Sequence, residues 1–487
     1  DLIDRCLVHT NRFLRETGYF TYASLCALMS ADTQKGIDFL TTIGDRLAAG
    51  CARGLADNWS QVRFAASVAT RTLFEQLPDE KILHQRGYYA LLLPRMCLNR
   101  YYLAQGVRIY SIESWRRVVG QQGKTMLVRY IGEVVAYYAQ SSKADNHAVR
   151  EAACHCIAEL ALRVDHDAVR PFVEKLIPPL MDCFKDASWP VRDAACTACA
   201  QFVSAFPKEC ECANQGQLLQ DLYALWFAHL SDNIQSVRQN TAQALAGFVL
   251  KAYPEKALAR IIPVIDALLP MAHKQCADSK LNASLENVST FGVAKAKKIA
   301  RDNDPALHTN QQVYSCGSLA PKLKRGAGCM DHGFSREKQP WEESDGAVFL
   351  IGELARSDHQ QAKKLVTAEF KGSSAATSST TTKTCYLDEI INLIKIRHFA
   401  HYFYFHVTIW NALTLISQSL GPTAFRPFFQ KLLDDLKMAL DETVPTHKLA
   451  KHAATQFASS LNKLYAPDCY QKEVKQHGVE IENWPIK

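Results

Sequence analysis

With 487 residues, 48% of them hydrophobic and 22% charged, the chain is not a disordered polymer and can bury a large core. Its formal net charge of +7 is concentrated, because residues 280–338 hold ten Lys and Arg against five Asp and Glu; a uniform polyanion-binding surface is excluded. Sixteen cysteines without a signal-peptide apolar region at the start exclude a secreted disulfide framework and read as reduced thiols of a cytoplasmic or nuclear protein.

Taken in order, residues 6–29 carry apolar side chains at helical intervals, so 1–36 reads as N-terminal helices or a partial repeat. The chain lacks an initiator Met, which reads as a fragment or a trimmed chain. An amphipathic run through Ile37, Leu40, Ile43, Leu47 and Cys51 follows, then a polar turn, then Asp57 with Val62-Arg63-Phe64-Ala65-Ala66. The same punctuation returns at Val107-Arg108, at Asp145 with Val149-Arg150, at Asp186 with Val191-Arg192, and at Asp232 with Val237-Arg238. From Arg63 to Arg238 the arginines are 45, 42, 42 and 46 residues apart, which predicts two-helix repeats over 37–275. Residues 276–340 lose the period and read as an irregular basic insert, 341–370 as a helical repeat element, and 371–384 as a Ser/Thr-rich linker. Degenerate repeats are expected over 385–470, with a polar tail at 471–487.

The chemistry of the signature accounts for its recurrence. Asp is expected to cap the second helix of each pair, accepting amide hydrogens of its first turn. Val and the Ala pair face the partner helix, where small side chains permit close approach. Arg is placed to reach the Asp of an adjacent repeat, so that Asp57, Arg63, Asp145, Arg150, Asp186, Arg192, Asp232 and Arg238 form a charge ladder. On these residues the chain resembles the HEAT/armadillo-type helical-repeat family. The resemblance implies an all-α fold, an α-solenoid of stacked antiparallel helix pairs (HEAT-like repeats) with a long irregular insert. It also implies a non-catalytic scaffold or adaptor for protein–protein interaction.

The turns offer candidate partner contacts: Trp59, Trp189, Asn146, His147 and Asn233. A Trp in an early turn is similar to the arrangement in TOG modules, which implies tubulin as an alternative partner, although the later turns here carry no Lys or Arg. Lys295, Lys297, Lys298, Lys322, Lys324 and Arg325 of the insert supply a second alternative, contact with nucleic acid. Cys316, Cys329 and His332 give the insert a possible zinc set, with His308 or Cys276 as fourth ligand; no other cofactor is expected. Cys154, Cys196 and Cys199 fall in slots that hold Ser67, Ala242, Thr70 or Leu245 in other copies, and read as core. Gly120 to Thr125 lacks the glycine spacing of a phosphate loop, and no catalytic motif occurs, so an enzyme is not expected. The uncharged run 398–425, with His398, His401 and His406, reads as a buried central helix and not as a membrane span.

Overall fold

Apolar side chains spaced three and four apart fold into helices throughout, and among the described residues the only extended pairing is an isolated bridge between Glu369 and Cys385. The computed structural model describes residues 2–28, 34–77, 80–277, 338–372, 384–399, 401–441 and 447–465. Two compact units are present: the described part of the first lies within 1–222, and that of the second within 223–277 and from 338 onward.

In the first unit the long helices alternate as first and second members of pairs. They are α1 (Leu2–Leu7) with α2 (Arg12–Leu28), α3 (Gln34–Leu55) with α4 (Ser60–Gln76), and α5 (Tyr88–Asn99) with α6 (Gln105–Val118). Next come α7 (Ile131–Ser141) with α8 (His147–Arg163), and α9 (Val173–Phe184) with α10 (Trp189–Ala205). Small side chains set the spacing: Val62, Ala65 and Ala66 of α4 and Val191, Ala195 and Ala198 of α10 are buried, so the pairs close tightly. Second helices lie beside second helices, α2 on α4 on α6 and α8 on α10, and first helices beside first helices, α3 on α5 on α7 on α9. This is the stacking that the period predicts.

The division between units falls inside α11 (Gln217–His229). In the second unit α12 (Gln235–Ala244), α13 (Pro254–Leu268) and α14 (Pro340–Arg356) follow, then α15 (Tyr386–Leu393), α16 (Tyr402–Leu440) and α17 (Lys448–Leu464). The 39-residue α16 is bent at Gly421, whose φ of 77° only glycine adopts readily, with Pro422 completing the break. Among the described residues no helix is long and apolar enough to cross a membrane. Trp226, Trp341 and Trp410 are fully buried and anchor this unit's core, Trp341 stacking on Phe399 at 5.6 Å.

Helices α13 and α14 pack on each other, and both described flanks of the insert belong to the second unit. Its ends are fastened: Gln275 Nε2 donates to Gln339 Oε1 (3.2 Å), and Gln275 Oε1 accepts from the Trp341 amide (3.3 Å). Gln339 also closes a capping box with Glu342. Because this short-range joint holds the pair together, replacing residues 278–337 by a six-residue Gly/Ser linker is expected to leave the unit's thermal transition in place. Shortening the loop tenfold reduces the closure entropy by about 2 kcal/mol. A fall in Tm of more than about 5 °C would refute the expectation.

Candidate partner-binding surface

The repeated joint recurs in five of its six copies; Arg108 donates no such bond among the described residues. In five copies the signature arginine donates to the backbone carbonyl six residues before it: Arg15 to His9 (2.9 Å), Arg63 to Asp57 (2.5 Å), Arg150 to Ala144 (2.8 Å), Arg192 to Asp186 (3.0 Å) and Arg238 to Asp232 (2.7 Å). A guanidinium thereby satisfies a turn carbonyl that no helix can reach. The copy at Arg15 carries no Val-Arg pair, so periodic reading of the sequence missed it.

The aspartates act otherwise than expected. Asp57, Asp186 and Asp232 each accept from the amide two residues on, at Trp59 (2.9 Å), Ser188 (2.8 Å) and Ile234 (2.9 Å). Those three residues occupy the cap positions, and none has a side-chain cap bond. The aspartate therefore sits too early in the chain to reach the helix's first-turn amides, and closes the turn instead. Among these joint turns Asn146, in the fourth pair, is a true cap, accepting from the Ala148 amide at 2.9 Å.

Rungs between repeats run forward from arginine to the next turn. Arg15 meets Asp57 (2.8 and 3.1 Å) and Arg150 meets Asp186 (2.6 and 2.8 Å), both bidentate. Arg63 finds Tyr102 where an aspartate would stand; its guanidinium lies 4.3 Å over that ring and donates to Asn99 Oδ1 at 2.6 Å. Asp145 is no rung: the slot six before Arg150 is Ala144, and the exposed Asp145 carboxylate makes no ion pair among the described residues. In the second unit Arg238 donates to Asp345 at 2.7 Å, inside α14 and fully buried.

Of the turn residues expected to touch a partner, Trp189 is 3% exposed, so it has almost no surface to offer as an anchor. Asn146 and His147 are buried as well, and Asn233 is half-buried. Trp59 is half-buried, with the Arg12 guanidinium 4.1 Å over its ring. The structure thus does not assemble these five into one site, and it lends the tubulin reading no support.

What it does assemble is a row of aromatic and aliphatic side chains on the second helices of the first unit. Phe20 of α2 meets Phe64 of α4 edge-on at 6.5 Å, and Phe64 meets Tyr110 of α6 at 5.0 Å. Arg71 covers Tyr110 at 4.1 Å, and Ile109 beside it is 57% exposed. Phe64 and Ile109 fill the slot directly after the signature arginine, where α8 and α10 carry Glu151 and Asp193. In that slot Ile109 is exposed while Phe64, Glu151 and Asp193 are half-buried, and the change from apolar to acidic along it was legible in the sequence once the repeats are aligned.

Burial, reinforced by the charge of Asp193 and opposed by Arg108, pushes the Glu151 carboxyl up to about 7. A carboxyl raised above its unfolded value favours the protonated folded state, so stability is present in full below about pH 4.5 and lost as pH rises towards 7 and beyond. Glu151→Gln is therefore expected to stabilise the chain by about 1–2 kcal/mol at pH 8 and to change little at pH 4.5. Melting curves of the two proteins at both pH values test the sign.

The cysteine slots are core: Cys154, Cys196 and Cys199 are buried. A hydrogen bond to Cys183, together with burial, holds the Cys154 thiol well above the usual range, and burial does the same for Cys199. The three histidines do not converge either. His398 and His406 bond the carbonyls of Gln275 (2.7 Å) and Ile396 (3.1 Å), while His401 precedes α16 and packs near Phe403 and Tyr404. Among the described residues no three His, Cys, Asp or Glu side chains gather as a metal site. Cys316, Cys329, His332 and His308, and the basic residues Lys295, Lys297, Lys298, Lys322, Lys324 and Arg325, lie outside the described residues.

A HEAT-repeat family profile matches residues 176–206, most of α9, its turn and α10. No curated protein matches the sequence. Among solved structures, the karyopherin Kap121p bound to the extreme C-terminus of the protein phosphatase Cdc14p aligns at 13% identity and a TM-score of 0.44, over 97% of this chain and 42% of that one. Kap95p with RanGDP aligns at 11% and 0.37, over 98% and 53%, and an engineered protein at 13% and 0.31, over 94% and 98%. This chain therefore spans about half the length of these karyopherins or less. The HEAT-repeat profile thus matches the clearest copy of a helix pair whose arginine-to-carbonyl joint recurs along the chain.

Proposed function

We propose that this chain is a non-catalytic scaffold of the cytosol or nucleus, and that the second-helix row of its first unit holds a protein partner. The observation that carries the reading is a row in which half-buried Phe64 and Tyr110 lie between exposed Phe20 and Ile109. These side chains are not needed to close the helix pairs, whose interfaces are filled by Val and Ala, and aromatic groups on a rigid element are effective anchors. All thirteen described cysteines are free thiols, which supports a reducing compartment. Affinity purification with mass spectrometry, run in parallel on the native chain and on Phe20→Ser/Ile109→Ser, tests the proposal. Both substituted residues are exposed, so the variant is expected to melt like the native protein while losing its specific partner about tenfold or more. An unchanged set of recovered proteins would count against the reading.

A further inference from the structure

We propose that Glu151 of α8 takes the ammonium group of a single lysine on the partner, set a fixed step from an aliphatic side chain that rests on Ile109 of α6. The inference deepens the function proposed above and rests on it. Glu151 fills the slot that Ile109 fills one pair earlier, and helix pairs of the first unit flank it on both sides. Among the described residues no donor reaches its carboxylate: it makes no ion pair, and its Oε2 is closed off from solvent without a hydrogen-bond partner. Arg108 of α6, the signature arginine without the joint bond, acts on Glu151 only through its charge, and Asp193 of α10 adds negative charge beside it. His155, one turn further along α8, is exposed, stacks on Tyr101 at 5.8 Å and makes no hydrogen bond among the described residues. The second helices are also set apart here. Helix α4 lies on α6 and α8 on α10, but α6 and α8 do not pack closely, and α8 rests on α5 instead.

These groups select the occupant. A half-buried carboxylate beside a second carboxylate, with no donor of its own, favours a cation. No three His, Cys, Asp or Glu side chains gather as a metal site among the described residues, which leaves an organic cation. Only Oε1 is open to it; an arginine fork engages both carboxylate oxygens, whereas an ammonium needs one. A run of cations does not fit, because Arg108 repels further positive charge and the neighbouring row is apolar, with Ile109 57% exposed and Tyr110 and Phe64 half-buried. Stacked helices lie about 8–10 Å apart and an extended chain advances about 3.3 Å per residue, so the lysine stands about three residues from the aliphatic side chain. The ammonium pairs with the ionised carboxylate. Because the Glu151 carboxyl is pushed up to about 7, binding tightens as pH rises through that value and is lost as it falls. Burial moves the charging of His155 downward, out of the same range.

The test uses the full chain and labelled peptides read by fluorescence anisotropy. The probes are Leu-Ser-Ser-Leu-Ser-Ser-Lys, its twin with Gln in place of Lys, both in reversed order, and Lys-Ser-Ser-Lys-Ser-Ser-Lys as a polycation control. At pH 8 the lysine peptide, in one of its two directions, is expected to bind about tenfold tighter than its twin, and at pH 6 to have lost most of that advantage. Glu151→Gln is expected to abolish both the advantage and its pH dependence. That substitution is expected to stabilise the fold at pH 8, so a melting curve separates a lost contact from a lost fold. Equal or absent binding of the twins in both directions, an advantage that survives in Glu151→Gln, or tightest binding of the three-lysine peptide would each overturn the proposal. Ile109→Ser is expected to weaken the lysine peptide and its twin alike. Such weakening without a lysine advantage would remove this inference and leave the scaffold function standing. Partner recovery that ignores Phe20 and Ile109 would remove the function itself.

Discussion

Replacing Arg238 by Met is expected to lower the stability of the second unit by about 3–5 kcal/mol, because it strands buried carboxylates. Arg238 is fully buried, as are its partners: Asp345 Oδ2 at 2.7 Å and Glu342 Oε1 at 3.6 Å. The same guanidinium bonds the Asp232 carbonyl at 2.7 Å and lies 5.2 Å over the Trp341 ring. One cation therefore holds a turn, a neighbouring helix and a core aromatic group in register. Burial already pushes the Asp345 carboxyl upward, with Arg238 as the main opposing influence; without the arginine that carboxyl would take up a proton or draw water into the core. Urea unfolding of Arg238→Met beside the triple variant Arg238→Met/Glu342→Gln/Asp345→Leu separates the two effects. The triple variant, which leaves no charge behind, is expected to recover most of the loss. A single variant that costs less than about 1 kcal/mol would show that the buried pair contributes little.

Gly346→Ala is expected to be at least as damaging, for a steric reason. A Cβ at Gly346 would stand 1.8 Å from the Leu230 carbonyl oxygen and 2.7 Å from its carbon. Both atoms belong to backbone, so no rotamer change relieves the clash; α14 would have to back away and pull Asp345 off Arg238. We expect a loss of about 3 kcal/mol or more, against which the better helix propensity of Ala returns only about 1 kcal/mol. Gly352→Ala on the same helix serves as the control. Its added Cβ would lie 3.2 Å from Ala412 Cα and Cβ, a contact relieved by a small shift, and the two melting temperatures are expected to differ widely.

The two variants lie close together on α14, yet only one of the residues involved was recognisable beforehand. Arg238 belongs to the repeated signature, so its role at a joint follows from counting along the chain. Its partner Asp345 stands 107 residues away in sequence, past the insert, and no period points to it. Gly346 is one glycine among 22, and the need for it arises only where α14 crosses the end of α11.

The same division holds for the candidate surface. Trp59 and Trp189 look alike in sequence, each near the start of a second helix, but one supports a guanidinium and the other is covered. The difference is made by Arg12, from the preceding pair, for which Trp189 has no counterpart among the contacts described. Phe64, Ile109, Glu151 and Asp193 were visible as one slot of the repeat, whereas their grouping with Phe20 and Tyr110 required the helices to be laid side by side.

By itself the sequence determined the helix pairs, their period and the arginine joint, because these depend on side chains a few residues apart, where spacing along the chain is spacing in space. Only the tertiary structure decided which aspartates meet which arginines, and that both described flanks of the insert belong to one unit. It alone showed that an aromatic row gathers on α2, α4 and α6. Those outcomes depend on contacts between residues 36 to 107 positions apart, brought together by packing that every repeat shares but no single repeat encodes.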